Sequence, residues 1–506
     1  MSLEREAKLA ATPAFELPPM DGLVRGATAV TLARLELEAT YYDTAEFQLA
    51  RWGVTLRHRT GEPGPAWTLK LPGTAAGATL ERRELGFAGE GLAIPPEAAD
   101  LVRAYVRGRA LVPAARLHTS RHPIEIRDPD GTVLAEVADD GVSVRVGRRV
   151  TGRFREIEIE AKDDGRRGRA VLRAAVERLT AAGCTSEQPV PKLIRALGAA
   201  ASRPAEVALV DLGAHPGPYK LARHAIAGSV VQLIGHDALV RLGEDEEGVH
   251  KFRVATRRLR SDLGTFAEFL DGEQAGWLRE ELRWLGGEVG RVRDNHVLAG
   301  NLQRDFDALP AADVAPAQHL IKRLRRQARN ARVSMLASLR SERYDLLLES
   351  LVRMAGSSSP LPEGIRSDHG KRHAAMMDNL VRKRWGRLDE AVSALVSDPS
   401  DAALHAVRIK AKQCRYTAEA VTPVAGDRTA RFAVAVSRLQ TVLGDHQDTV
   451  VAERWLREAA DVTPVACLVA GELIARQRAE RARLRAAWPA VWKEVFAKRP
   501  PGGRGR

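Results

Sequence analysis

Arg155-Glu156-Ile157-Glu158-Ile159-Glu160 alternates acidic and apolar side chains with a period of two, the spacing that sends successive residues of a β-strand to opposite faces. Glu156, Glu158 and Glu160 therefore share one face, and Ile157 and Ile159 the other. In an ordinary sandwich the inward face is apolar and the charged face is solvated. Here both faces carry residues with work to do, which fits a closed barrel whose apolar side chains pack outward against helices while charged ones line a polar lumen. A salt-bridged edge strand would explain this stretch taken alone.

Other segments of the same half repeat the feature. Glu4, Glu6 and Lys8 fall on one face of the first strand; Arg57 and Arg59 share a side, Lys70 follows on the next strand, and Arg82 and Glu84 share another. Arg121, Asp139 and Lys192 come later in the chain, and around Asp139 the pattern leaves Glu136 and Asp140 as alternative acids. Grouped carboxylates hold divalent metal ions, while lysine and arginine grip phosphate oxygens. A lumen carrying both suits a metal-bound anion chain.

The texture changes near residue 205. Before it, short alternating runs recur between Gly and Pro punctuation, at Gly53–Arg59, Trp67–Lys70 and Thr132–Val137, with helices expected at Val24–Leu37, Glu97–Arg109 and Arg166–Ala182. After a linker holding Pro204, Gly213, Pro216, Gly217 and Pro218, segments with 3.6-residue periodicity take over. The expected class is α+β and multidomain: residues 1–200, a linker over 201–217, a helical domain over 218–496, and a disordered basic tail over 497–506. Lys and Arg number 78 against 65 Asp and Glu, a net charge of +13 in 506 residues, which favours an anionic partner. Three scattered cysteines show no metal or disulfide spacing. No apolar run approaches the roughly 20 residues of a membrane helix, and the N-terminus is charged at once, so a cytoplasmic protein with no membrane partner is expected.

In this order, Glu4-x-Glu6-x-Lys8, Tyr41-Tyr42-Asp43-Thr44, Leu56-Arg57-His58-Arg59, Thr68-Leu69-Lys70, Arg82-Arg83-Glu84, Glu156-x-Glu158-x-Glu160 and Pro191-Lys192 resemble the CYTH superfamily, the triphosphate tunnel metalloenzymes, over residues 1 to about 200. The resemblance implies an eight-stranded antiparallel tunnel with flanking helices that hydrolyses or rearranges triphosphates with Mg²⁺ or Mn²⁺. It implies metal ligands among Glu4, Glu6, Asp139, Glu156, Glu158 and Glu160. Triphosphate contacts would come from Lys8, Arg57, Arg59, Lys70, Arg82, Arg121 and Lys192, with Glu4, Glu6, Lys8, Glu158 and Glu160 closest to the chemistry.

The helical half repeats itself. His250-Lys251-Phe252-Arg253 to Arg260 aligns with His405-Ala406-Val407-Arg408 to Arg415, and Leu285–Asp294 with Leu439–Asp448. Two similar helical bundles, about 218–365 and 366–496, are expected. At 100° per residue the offsets 0, 3, 7 and 10 fall within about a quarter turn. His250, Arg253, Arg257 and Arg260 thus form one stripe, and His405, Arg408, Lys412 and Arg415 its twin. Like charges stacked this way repel unless an anion compensates. Lys322, Arg323, Arg325, Arg326, Arg329 and Arg332 form a further basic helix. The two His-x-x-Arg helices and the paired Gly-containing segments ending in Asp294 and Asp448 resemble the CHAD domain over residues 215–495. That resemblance implies inorganic polyphosphate binding through the basic stripes.

The expected whole is a metal-dependent triphosphatase, a phosphoric anhydride hydrolase, fused to a polyphosphate-binding module that concentrates polyanion or tethers the enzyme to polyphosphate granules. A non-catalytic polyphosphate-binding protein is the alternative. Nucleic-acid binding is weaker, since aromatics are 5% of the chain and no aromatic ladder interleaves the basic helices to stack bases.

Overall fold

The computed structural model describes residues 2–76, 79–89, 91–185, 191–213, 216–244, 246–356, 370–459 and 464–500. Residues 501–506 of the expected basic tail lie outside them. The chain divides into two units, Met1–Glu206 and Val207–Arg506.

The strands of the first unit are β1 (Ser2–Ala11), β2 (Thr28–Thr31), β3 (Leu35–Asp43), β4 (Thr55–Thr60), β5 (Trp67–Lys70), β6 (Thr74–Ala76), β7 (Thr79–Phe87), β8 (Val112–Arg127), β9 (Val133–Val146) and β10 (Arg149–Ala161). Eight of them hydrogen-bond in the order β1-β10-β9-β8-β3-β4-β5-β7, and β7 pairs back with β1, so the ring closes. Every pairing is antiparallel; β2 adds to β8 and β6 to β7 outside the ring. Closure removes the exposed sheet edge and creates an inside. Register then fixes which residues face it: Lys8 lies opposite Glu158, Glu6 opposite Glu160, and Arg121 opposite Asp140.

The outward face is the apolar one. Ile157, Ile159, Val137 and Leu9 pack with Val171, Leu172, Ala175 and Leu179 of the helix Arg166–Ala181 in a single core layer. Short helices at Gln48–Arg51 (α1), Pro96–Val106 (α2) and Lys192–Leu197 (α4) flank the barrel together with this one (α3). The helix expected over Val24–Leu37 does not form. Its leucines and alanines favour helix, but Thr28–Thr31 pairs with β8 and Leu35 opens β3, so tertiary pairing overrides local propensity.

The second unit is helical throughout: α5 (Pro218–Leu242), α6 (Glu246–Thr265), α7 (Gly272–Asp307), α8 (Ala311–Leu339), α9 (Glu342–Ala355), α10 (Gly370–Ser393), α11 (Asp401–Ala459) and α12 (Pro464–Ala497). The internal repeat shows in the break points. α6 and α7 are separate helices, and the corresponding stretch of α11 kinks at Gly426 (φ 72°), three residues after Pro423. α5 is long and apolar enough to cross a membrane, an exception to the sequence expectation, yet 56% of its most apolar window is buried within the protein.

Because Ile157 is fully buried between barrel and α3, Ile157→Ala is expected to lower stability by about 3 kcal/mol, measured by urea denaturation.

Candidate functional site

Inside the barrel lies a cavity of about 400 Å³ whose walls are mostly charged. β4 stands four positions from β10 around the eight-membered ring, so Arg57 and Arg59 face the glutamates of β10 across the lumen. Glu4, Glu6, Lys8, Arg57, Arg59, Lys70, Arg82, Arg121, Glu158, Glu160 and Lys192 all line this space.

Along β1, β5 and β7, Lys70 donates to Glu4 at 2.5 and 2.6 Å and sits 3.0 Å from Glu84, while Arg82 pairs with Glu6. Lys8 links this group to the next, 3.2 Å from Glu6 and bonded to Glu158. The second group holds Asp140, Glu156 and Glu158, each offering a carboxylate oxygen within 4.8 Å of the others. Arg121 donates to Asp140 at 2.8 and 2.7 Å and to Glu158 at 2.7 Å. The Lys192 ammonium lies 2.5 Å from Asp140, 2.9 Å from Glu158 and 3.2 Å from Glu156. Three close carboxylates around one cation are a donor set for a divalent ion, and here the lysine fills that role.

The charges set each other's protonation. Burial raises the Glu158 carboxyl, but Lys192, Lys8 and Arg121 outweigh it and hold Glu158 well below the usual range. Burial also opposes ionisation of Asp140, and Lys192 and Arg121 again prevail. At Glu156 burial wins over Lys192, and the carboxyl is raised. The opposite wall carries Arg57 and Arg59, with Glu62 and Glu84 nearby. Arg57 is half-buried with its Nε unpartnered, and its guanidinium donates to the Tyr41 hydroxyl at 3.4 Å. Burial, with Arg57 and Arg121 adding repulsion, pulls Arg59 down to about 9 although it pairs with Glu62. This wall is the natural seat for an anion.

Two sequence expectations land elsewhere. Asp139 lies on the outer face of β9 opposite Ile157, where Arg155 donates to it at 2.9 and 2.8 Å. Asp140, one residue on, is the fully buried lumenal acid. Glu160 lines the cavity but pairs with Lys162 at 2.8 Å, outside the three-carboxylate group. Glu136, an alternative acid in the sequence, and Glu84 also line the lumen, as does Tyr41, while Arg195, to which the sequence assigned no role, holds Glu156 at 2.9 Å. Counting alternation back from Glu156 through the β9 pairing would have separated Asp140 from Asp139, but that register is not written in a single strand. One end of the lumen is stoppered by apolar side chains: Leu117, Val142 and Val144 of the barrel meet Leu193 and Ala201 from α4 and the turn after it.

In the helical unit the twin stripes converge in part. Arg253 and Arg257 of α6 lie close enough to Arg408 and Lys412 of α11 to lower the Lys412 ammonium to about 7, burial being the larger cause. Arg253 pairs with Asp294 at 3.0 Å. A Cβ on Gly444 would come within 3.3 Å of the Arg408 guanidinium, and one on Gly290 within 3.9 Å of that of Arg253. Gly444 therefore makes room for Arg408, and Gly290 stands against Arg253 in the corresponding place. Arg415 turns to Glu419 at 3.0 Å and Ser437 at 3.1 Å, and Arg260 lies beside Arg279 and Arg283 instead. His405 leaves its Nδ1 unpartnered, and His250 borders a separate cavity. On α8, Arg332 is used structurally, donating to the carbonyls of Val240 and Arg241 at the end of α5.

Residues 2–192 match the CYTH domain family, and residues 224–457 the CHAD domain family. The chain belongs to the CYTH–CHAD proteins. Two uncharacterized proteins from strains of Mycobacterium tuberculosis are each 32% identical over 484 residues, 93% of this chain and 90% of theirs. The solved CHAD domain from the plant Ricinus communis is similar at 24% identity and a TM-score of 0.48, covering 60% of this chain and 100% of that one.

Since the Lys192 ammonium and a divalent ion would compete for the same carboxylates, Lys192→Ala is expected to tighten Mn²⁺ binding by roughly tenfold, ~1.4 kcal/mol. Titration calorimetry with Mn²⁺ alone checks this; unchanged affinity would place the ion elsewhere.

Proposed function

We propose that the CYTH domain hydrolyses inorganic triphosphate, or a related organic triphosphate, with Mg²⁺ or Mn²⁺, and that the CHAD domain binds inorganic polyphosphate. The observation carrying the first part is the closed lumen in which the carboxylates of β1 and β10, already matched by lysine and arginine, face Arg57 and Arg59 of β4. A triphosphate chain fits between them, its oxygens taken by Arg57, Arg59, Lys70, Arg82 and Arg121 as charge-assisted hydrogen bonds. Asp140, Glu156 and Glu158 would hold one divalent ion, with Glu4 and Glu6 as a further acidic pair on β1. Such an ion, when bound, neutralises charge on the phosphoryl oxygens and lowers the pKa of an adjacent water. The protein's own contribution is positioning: the barrel fixes each charged side chain on a hydrogen-bonded strand, and the apolar plug shuts one end against bulk water. Membership of the CYTH family, which includes triphosphatases and cyclases, supports hydrolase-type chemistry.

The second part rests on the cluster of Arg253, Arg257, Arg408 and Lys412, whose mutual repulsion is relieved by a polyanion. Polyphosphate presents closely spaced charge and no bases to read, which suits arginine and lysine lacking interleaved aromatics. The domain would then concentrate polyanion or tether the protein to polyphosphate deposits.

Supplied with inorganic triphosphate and Mg²⁺ or Mn²⁺, the wild type is expected to release phosphate, and Glu4→Ala and Glu6→Ala to release it at least 100-fold more slowly, an order-of-magnitude figure for loss of electrostatic stabilisation. Equal release from all three would remove these residues from catalysis, and none from the wild type would leave a tunnel that only captures phosphates.

Polyphosphate binding is expected to fall steeply with added salt and to be lost in the Arg253→Ala/Arg408→Ala double variant. Lys412 must be protonated to bind, and its free ammonium titrates at about 7, so affinity should decline as pH rises above 7. Lys412→Met should flatten that decline; titration calorimetry from pH 6 to 9 measures both.

A further inference from the structure

The helical unit contains a second cavity, of about 520 Å³, bounded by α5, α6 and the middle of α11. It lies against the side of α6 that carries Val254, Arg258 and Asp262. Deep in it sits Asp262, 1% exposed, with Oδ1 unpartnered and Oδ2 only 3.5 Å from the Ser229 hydroxyl. Small apolar residues, Gly228 from α5, Val254 and Ala255 from α6 and Ala420 from α11, line it between polar ones that include Gln232, with exposed Leu209 at the edge.

The neighbouring charges are already matched. Arg258 pairs with Glu419, which Arg415 also holds at 3.0 Å, and Lys251 lies 3.8 Å from Glu247. His224 points Nδ1 at the Val210 carbonyl at 2.7 Å. Among the described residues, Asp262 has no cationic partner at ion-pair distance. A carboxyl so enclosed and half-satisfied beside an empty volume is a costly arrangement unless something supplies the missing donor.

We propose that this cavity is a binding site for a short aliphatic primary amine, its ammonium donating to Asp262 and Ser229 and its alkyl chain lying between α5, α6 and α11. An ammonium carries three donors and a charge opposite to the carboxylate, which answers both deficits of Asp262. The small apolar residues among the lining offer a short alkyl chain some hydrophobic burial. An alcohol would answer only one deficit, and a carboxylate would repel. Burial pushes the Asp262 carboxyl up to about 8, against the pull of Arg258 and the Ser229 hydroxyl, with Glu419 adding to the rise. The other titratable groups facing the cavity are His224 from α5 and Glu247, His250 and Lys251 from α6. Amine binding must therefore expel a proton from Asp262 below pH 8. Without ligand the same group holds its proton longer folded than unfolded, so its contribution to stability is fully present below pH 3.8 and lost as pH rises through about 8.

The test is titration calorimetry of the full chain with n-butylamine, n-butanol and butyrate. The amine is expected to bind at least tenfold more tightly than either analogue, with affinity rising with pH and levelling above about 8. Asp262→Asn should abolish amine binding while leaving polyphosphate binding intact. Gly228→Leu fills the cavity without touching the carboxyl: a Cβ there meets only Leu209, at 3.4 Å. It should also block the amine and guards against a folding defect in the first variant. Butanol binding as tightly as butylamine, amine binding that survives both variants, or a folded wild type that binds no amine would each overturn the proposal and leave a water-filled void.

Discussion

The structure of the first unit depends on one constraint: charged side chains can be buried together only if acids and bases alternate closely enough to satisfy each other. An isolated ionised carboxylate inside a protein is prohibitive, and a matched, hydrogen-bonded network is tolerable. The closed ring supplies that matching through register. Lys8 lies opposite Glu158 because β1 and β10 pair in one particular alignment, and Arg121 opposite Asp140 because β8 and β9 do. A slip of one residue would turn the lumenal charges outward and bring Ile157 and Ile159 in. The apolar layer under α3 and the polar lumen are thus two consequences of one register, each enforcing the other.

This explains what was legible in the sequence. Period-two alternation is a property of a single strand, so Glu156, Glu158 and Glu160 on one face and the isoleucines on the other could be read directly. Closure could be inferred, because charges repeated on strand after strand need a shared interior. Asp139 against Asp140 could not be settled the same way: the choice depends on which residue of β9 pairs with Glu156, and pairing is a property of two strands. Val24–Leu37 fails for a related reason. Its composition favours helix, and only the nearby edge of β8 makes extended pairing the better outcome. Tyr41 was noticed as part of a motif, yet its lumenal position follows from its pairing with Arg57 across β3 and β4.

In the helical unit the internal repeat was visible as recurring residue types, and its physical content is a pair of interlocks. Arg253 faces Gly290 and Arg408 faces Gly444, so each basic helix lays a guanidinium over a glycine of the helix that follows it. A side chain at Gly444 would crowd the Arg408 guanidinium, and one at Gly290 would come into contact with that of Arg253. The departures from symmetry are as informative. His446, which has no counterpart in the first repeat, is buried beside Asp401 at 3.1 Å and ties the start of α11 to its later half. Of each four-residue stripe only the middle pair converges, because Arg260 and Arg415 lie far enough along their helices to meet other neighbours. Helical periodicity places residues on a face; it does not say how much of that face a partner helix covers.

The two lumen walls differ in a way that bears on order of events. On the acidic side every carboxylate already has a cation, and Lys192 sits among Asp140, Glu156 and Glu158 as an internal substitute for an external ion. On the arginine side Arg57 has no such substitute. A bare polyanion could therefore settle on Arg57 without breaking an existing ion pair, whereas at Arg59 it would compete with Glu62 and a divalent ion at the three carboxylates would have to displace Lys192. Displacement frees an ammonium within the same cavity, where the incoming phosphate oxygens can take it up. If the lumen holds a metal ion and a phosphate chain as proposed, each makes good the charge that the other disturbs.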